Sequence, residues 1–234
     1  MGVEMPFLLN RRSLFAAAAA LSASGAGQAK IERAVDIGAT DGAPIRNFRI
    51  APGMSPSDLP GLILAGTVKM EPILYEFFDY ACPYCRVASQ EIEMLLTPDT
   101  GVRLGLVQHP VISSRSADAA RVALAASRLH GDEAAYRLHV GIFQAPGAVN
   151  AEKALAVAAA QGLDSGRLAD EAGCEQIAVF LAAHVERARA LSLPLAPSFV
   201  LGEFAFVGWP GVEPIESFIA ATRRCGGLRC PQPY

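Results

Sequence analysis

Pro72-Ile-Leu-Tyr-Glu76-Phe-Phe-Asp-Tyr80-Ala-Cys82-Pro83-Tyr84-Cys85 is the stretch on which the fold turns. From Ile73 to Tyr80 it is almost wholly apolar or aromatic, the pattern of a strand covered on both faces. Pro83 then stands where a first helical residue tolerates proline, since its missing N–H would have no partner there. Ala88, Ile92 and Leu95 or Leu96 recur at helical spacing, and Thr97-Pro98 closes the run. A strand running straight into a helix puts Cys82 at the N-cap and Cys85 one turn inside.

That placement implies thiolate chemistry. Free backbone N–H groups and the positive end of the helix stabilise an anion on the Cys82 sulfur and lower its pKa. Cys85, three residues on, faces the same turn and is placed to attack a mixed disulfide on Cys82. The spacing also suits half a zinc site, but no second Cys/His pair with ligand spacing follows, so no metal or cofactor is expected. Two buried structural cysteines are the plainer alternative; the strand–Cys-Pro-Tyr-Cys–helix context favours a redox pair. Alternation along the strand places Glu76 on the face of Leu74 and Phe78, buried, where a carboxyl has a raised pKa and a partner or a function.

Toward the N-terminus, residues 1–29 read as a signal peptide. Asn10-Arg11-Arg12-Ser13-Leu14-Phe15 leads into an alanine-dominated run too short to span a bilayer, and Gly27-Gln28-Ala29 suits a cleavage site. The arginine pair resembles a twin-arginine signal, and an ordinary secretory signal is the other reading; both predict export to the periplasm. Removing Glu4, Arg11 and Arg12 takes the net charge from −3 to −4. Mild acidity without a basic cluster argues against nucleic acid and a polybasic membrane surface. Residues 30–61 read as an irregular arm leading to a first strand; across Lys30 to Met70, Gly and Pro punctuation leaves room for short strands near Ile45–Ile50 and Leu62–Val68.

Toward the C-terminus, Val102–Val107 alternates as a strand and runs into Gln108-His109-Pro110, where His109 is read as a hydrogen-bonded loop residue. Helices are expected at Ser116–His130, Asp132–Phe143, Ala151–Gln161, Ser165–Ala172 and Cys174–Leu191, with Asn150 and Asp164 as N-caps and Gly131, Gly162 and Gly173 at C-terminal ends. Five consecutive helices exceed a simple crossover and predict an all-helical subdomain, 113–192, inserted between 62–112 and 193–234 of an α/β fold. Ser198–Leu201 and Phe204–Val207 flank Gly202-Glu203, a two-residue hairpin turn, before a last helix at Pro214–Arg224. Cys225 and Cys230 are spaced for a local disulfide stapling the tail, a clip of about 2 kcal/mol in the chain-entropy model. Cys174 remains, read as a small hydrophobe near a helix start.

Glu76-Phe-Phe-Asp-Tyr-Ala-Cys-Pro-Tyr-Cys85 resembles the active-site stretch of DsbA-like thioredoxin-fold thiol:disulfide oxidoreductases. The likeness continues through Ser116-Ala-Asp-Ala-Ala-Arg-Val-Ala-Leu-Ala-Ala126 and Gln161-Gly-Leu-Asp164 and closes on Ala196-Pro-Ser-Phe-Val-Leu-Gly202. It implies a thioredoxin-like fold interrupted by helices, with a cis-proline loop at Ala196-Pro197 facing the cysteines and binding substrate backbone, although relatives more often carry threonine or valine where this chain has Ala196. It further implies Cys82 as nucleophile, Cys85 as resolving thiol, Glu76 as a proton relay for Cys85, and Pro83 and Tyr84 as residues tuning the redox poise. The partners implied are exported proteins bearing cysteines and a membrane quinone-linked oxidase. Oxidation through a mixed disulfide on Cys82 is the expected direction; an isomerase or reductase kept reduced, and a metal-binding thiol module, are the alternatives.

Overall fold

The computed structural model describes residues 33–66, 71–96 and 102–231, within the unit Glu32–Tyr234. The expected signal peptide at 1–29, Thr97-Pro98 and the end of the strand expected at Leu62–Val68 lie outside the described residues. The strands are β1 (Asn47–Arg49), β2 (Ile63–Ala65), β3 (Ile73–Phe78), β4 (Arg103–Gln108), β5 (Ser198–Leu201) and β6 (Phe204–Val207). The helices are α1 (Pro83–Leu95), α2 (Ser114–His130), α3 (Asp132–Gln144), α4 (Ala151–Ala160), α5 (Ser165–Ala172), α6 (Glu175–Ala190) and α7 (Val212–Cys225).

One sheet runs in the order β1-β6-β5-β3-β4-β2. Every residue of β3 is buried, because it lies between parallel β4 and antiparallel β5 and is covered on both faces. One face, with Leu74, Phe78, Leu104, Leu106, Phe199 and Phe206, packs with Cys85, Ala88 and Ile92 of α1 and with the alanine-rich α2. The other, with Tyr75, Phe77, Val107 and Val200, packs against Ala188, Leu191 and Leu193. The arm supplies one border of the sheet, β1 antiparallel to β6, and the segment just after it the other, β2 antiparallel to β4. Both fall where the sequence left room for short strands, near Ile45–Ile50 and Leu62–Val68; their place at the two edges depends on pairing that no local pattern encodes.

Helix limits differ from the expected ones by up to two residues, each for a capping reason. α2 starts at Ser114 instead of Ser116, because the Ser113 hydroxyl accepts from Ser116 N and makes Ser113 the cap. α6 is bounded by Cys174 and Leu191 as caps instead of containing them. α7 begins two residues before Pro214, which is tolerated there because first-turn N–H groups lack partners within the helix. Asn150 and Asp164 cap α4 and α5 by accepting from Lys153 N and Arg167 N. Gly202 takes φ +58° between Leu201 and Phe204, the left-handed geometry required of the first residue of the hairpin turn.

Candidate active site

The strand-to-helix turn is set by Asp79. Its carboxylate accepts from Ala81 N and from Ile112 N, both at 2.7 Å, and its carbonyl accepts from Cys82 N. The turn is thereby fixed to the loop after β4, and Cys82 is left as the N-cap of α1 with extended backbone, φ −82° and ψ 121°.

Cys85 N donates to Cys82 Sγ at 3.4 Å. The Cys82 pKa is pulled down to about 6, first by the Cys85 side chain hydrogen-bonded to its sulfur and further by the backbone N–H groups of Cys85 and Tyr84; burial and the Asp79 charge oppose the shift. Cys85 moves the other way, raised by burial, by the same side-chain bond and by the nearby Glu76 charge. The pair is therefore asymmetric, with one sulfur ready to be an anion and the other held as a thiol. Both are free thiols in this structure.

Cys82 is 4 % exposed. Its Sγ lies 3.2 Å from Ala196 O, to which the thiol donates. The Ala196–Pro197 peptide is cis, as is Glu71–Pro72, which the sequence did not suggest. Pro197 O accepts from Gly208 N, tying this loop to the segment after β6. Pro83 and Tyr84 are exposed, Tyr84 at 71 %. Val87 of α1, Ile112 of the loop held by Asp79, and Leu195 beside Ala196 add exposed apolar side chains on the segments flanking Cys82.

Glu76 is wholly buried, and neither carboxyl oxygen has a hydrogen-bond partner. Burial, and secondly the Cys82 charge, raise its pKa to about 8. The structure thus gathers Cys82, Cys85, Glu76, Ala196 and Pro197 in one place. It places Cys225 and Cys230 elsewhere, joined in a disulfide at the end of α7 (S–S 2.05 Å). Cys174 is half-buried, its thiol donating to Glu171 Oε1. His109 is a loop anchor: its N–H donates to Phe78 O, and its ring Nε2 lies 3.0 Å from Leu193 O.

Sequence reasoning overlooked Asp79, Tyr80, Gln108 and His139. An aspartate ending an apolar strand was a legible turn signal for the first. Tyr80, Gln108 and His139 come together only through strand register and helix packing, which local patterns do not reveal. Among the described residues, no three His, Cys, Asp or Glu side chains gather in a way that would hold a metal ion.

Residues 59–221 match the family model described as Thioredoxin. A thioredoxin-like oxidoreductase from Silicibacter pomeroyi DSS-3 is similar over 75 % of this chain and 99 % of its own, with 28 % identity and a TM-score of 0.68. The thiol-disulfide exchange protein α-DsbA2 from Wolbachia pipientis shares the fold at 23 % identity over 63 % of this chain and 79 % of its own, with a TM-score of 0.58. A periplasmic thioredoxin-like protein from Salmonella enterica serovar Typhimurium shares it at 19 % identity over 69 % of this chain and 90 % of its own, with a TM-score of 0.59. No match was found among curated proteins. With a buried strand feeding a cysteine-capped helix, a proline loop against the first sulfur and five helices between β4 and β5, the chain belongs to the thioredoxin family, in the DsbA-like, helix-interrupted form of that fold.

Proposed function

We propose that this chain is a thiol:disulfide oxidoreductase of exported proteins, passing a Cys82–Cys85 disulfide to client cysteines in the periplasm. The observation that carries the reading is the asymmetry of the two sulfurs, Cys82 with its pKa near 6 at the helix start and Cys85 held protonated behind it. In the first step a client thiolate attacks Cys82 Sγ, the bond to Cys85 breaks, and Cys85 leaves with the electron pair and takes a proton from Glu76. A second client thiolate then attacks the client sulfur of the mixed disulfide, and Cys82 leaves as the anion that the helix start stabilises. The client gains a disulfide and the enzyme is left as a dithiol. Ala196, against Cys82 Sγ, is the backbone edge where an extended client segment pairs. Exposed Tyr84, Val87, Ile112 and Leu195 offer apolar contacts to unfolded chains.

Export and periplasmic action are supported by the leader expected at 1–29 and by the Salmonella relative named as periplasmic. Direction has a second reading. A Cys82 pKa near 6, against about 9 for an ordinary thiol, favours the dithiol about tenfold at pH 7, which is about 1.4 kcal/mol or about 30 mV. DsbA and thioredoxin differ by about 150 mV. The modest figure favours a reductase or isomerase kept reduced as the alternative. The equilibrium potential of the Cys82–Cys85 pair against glutathione decides between them: the oxidase requires a potential well above that of thioredoxin, and one at or below it overturns the oxidase and leaves the reductase or isomerase.

A further inference from the structure

Among the described residues, the buried side-chain nitrogen and oxygen atoms without a hydrogen-bond partner belong to five residues, Glu76, Tyr80, Gln108, His109 and His139. Buried polar groups are nearly always paired, so this concentration beside the cysteines calls for a role. Strand register defines three of them as a unit. β3 and β4 pair Glu76 with Leu106 and Phe78 with Gln108, so Gln108 is the diagonal neighbour of Glu76 on the same face. Tyr80, two residues after Phe78, packs edge-on against its ring; burial first raises the pKa of its hydroxyl, the Gln108 side chain opposes the rise and the Glu76 charge adds to it. Tyr80 also forms a wall of an open cleft of about 390 Å³ with Ala81, Arg86, Ser113, Ser114 and Arg115. Tyr80 is thus buried and at the same time borders the cleft.

We propose that Tyr80 and Gln108 are the positioning residues through which Glu76 gains and loses its proton, Tyr80 joining the buried carboxyl to the cleft. The proposal rests on the reading in which Glu76 exchanges a proton with Cys85, and deepens it. A phenol and a primary amide each donate and accept, so they suit the carboxyl in both of its states. When Cys85 leaves with the bonding pair it takes the Glu76 proton. The carboxylate is then reprotonated in one concerted relay, the Tyr80 hydroxyl passing its proton on as it takes one from hydronium in the cleft, so that no tyrosinate forms where burial raises the pKa of the phenol, and Gln108 donates to the carboxylate in the interval. The other titratable groups that interact with Glu76 are Cys82 and Cys85 at the start of α1 and Tyr136 on α3, while His139 of α3 stands beside the Tyr80 ring; the Glu76 partner on β5 is the apolar Phe199. Burial holds His139 neutral down to about pH 3, so it supplies no charge near neutrality.

The test is infrared difference spectroscopy of the full chain, oxidised against reduced, across pH. The Glu76 carboxyl band is assigned by its disappearance in Glu76→Gln. Wild-type protein is expected to titrate near pH 8. Neither side chain bonds the carboxyl in this structure, so each must turn toward it once it ionises. Tyr80→Phe and Gln108→Met are each expected to move that midpoint upward by about three- to tenfold in proton affinity, the value of one hydrogen bond made to the anion alone, with Cys82 still titrating near 6. Should Tyr80→Phe not fold, Gln108→Met carries the test. A midpoint unmoved in folded variants overturns the proposal, as does a shift produced by Tyr136→Phe and not by Tyr80→Phe. Absence of thiol exchange in the wild type, with the band still shifting in the variants, would overturn the oxidoreductase reading and leave the coupling standing.

Discussion

Cys82 and Glu76 carry opposite pKa displacements a few residues apart. Thiolate absorbance of the reduced protein is expected to rise with a midpoint near pH 6 and to vanish in Cys82→Ser, whereas Cys85→Ala should keep a titrating thiolate at a higher midpoint because it loses the Cys85 thiol that bonds the anion. Glu76 has a folded pKa above its unfolded value. Its contribution to stability is complete below about pH 4.5 and lost as the pH rises through about 8. Glu76→Gln should therefore stabilise the reduced protein at pH 8 by about 2–4 kcal/mol while leaving pH 4 stability little changed, read from denaturant unfolding at both values. Both cysteines were legible in the sequence because a cap is a local structure, fixed by Pro83 and the apolar run before it. Burial of Glu76 was legible from alternation. Its lack of a partner was not, since that depends on which side chains β4 and α3 bring to it.

At the scale of elements, the turn between β3 and α1 is held by one carboxylate. Asp79→Asn keeps an acceptor but removes a charge that opposes ionisation of Cys82, so the Cys82 midpoint should fall below 6. Asp79→Ala loses the bonds to Ala81 N and Ile112 N as well and should cost about 2–4 kcal/mol, checked by thermal unfolding together with client oxidation. In the sheet, Gly105 of β4 lies opposite Tyr75 of β3, and a Cβ there would stand 2.5 Å from the Tyr75 ring. Gly105→Ala is expected to destabilise by about 1–3 kcal/mol through overpacking, read as a lower denaturant midpoint at an unchanged slope. The α5 limits were readable to the residue because Asp164 and Gly173 punctuate it. A glycine inside a strand reveals only that something approaches closely, and it took the β3–β4 register to identify the ring.

Across the whole molecule, acid sensitivity follows from buried neutral histidines. Gln108 N donates to His184 Nδ1, so His184 carries its proton on Nε2 and donates it to Pro60 O, joining the end of β4 to the arm. Protonation would set a second N–H against the Gln108 amide. Burial lowers the pKa of His184 to about 4 and that of His139 to about 3, so the stability they contribute is present above about pH 6.5 and lost as the pH falls. Glu76 acts with the opposite sign in part of this range, so Tm measured from pH 7 to 4 in Glu76→Gln should show the loss undiluted, with a shallower slope when His184→Gln is added. Short strands were legible near Ile45–Ile50 and Leu62–Val68, but not which strands and which histidine this part of the chain would meet, since Gly and Pro punctuation signals turns and not destinations. Both outer strands, Asn47–Arg49 and Ile63–Ala65, are three residues long. Were the clients of the proposed exchange to arrive as unfinished chains with unpaired strands, these margins, among the described residues, would give them little length on which to nucleate an intermolecular sheet.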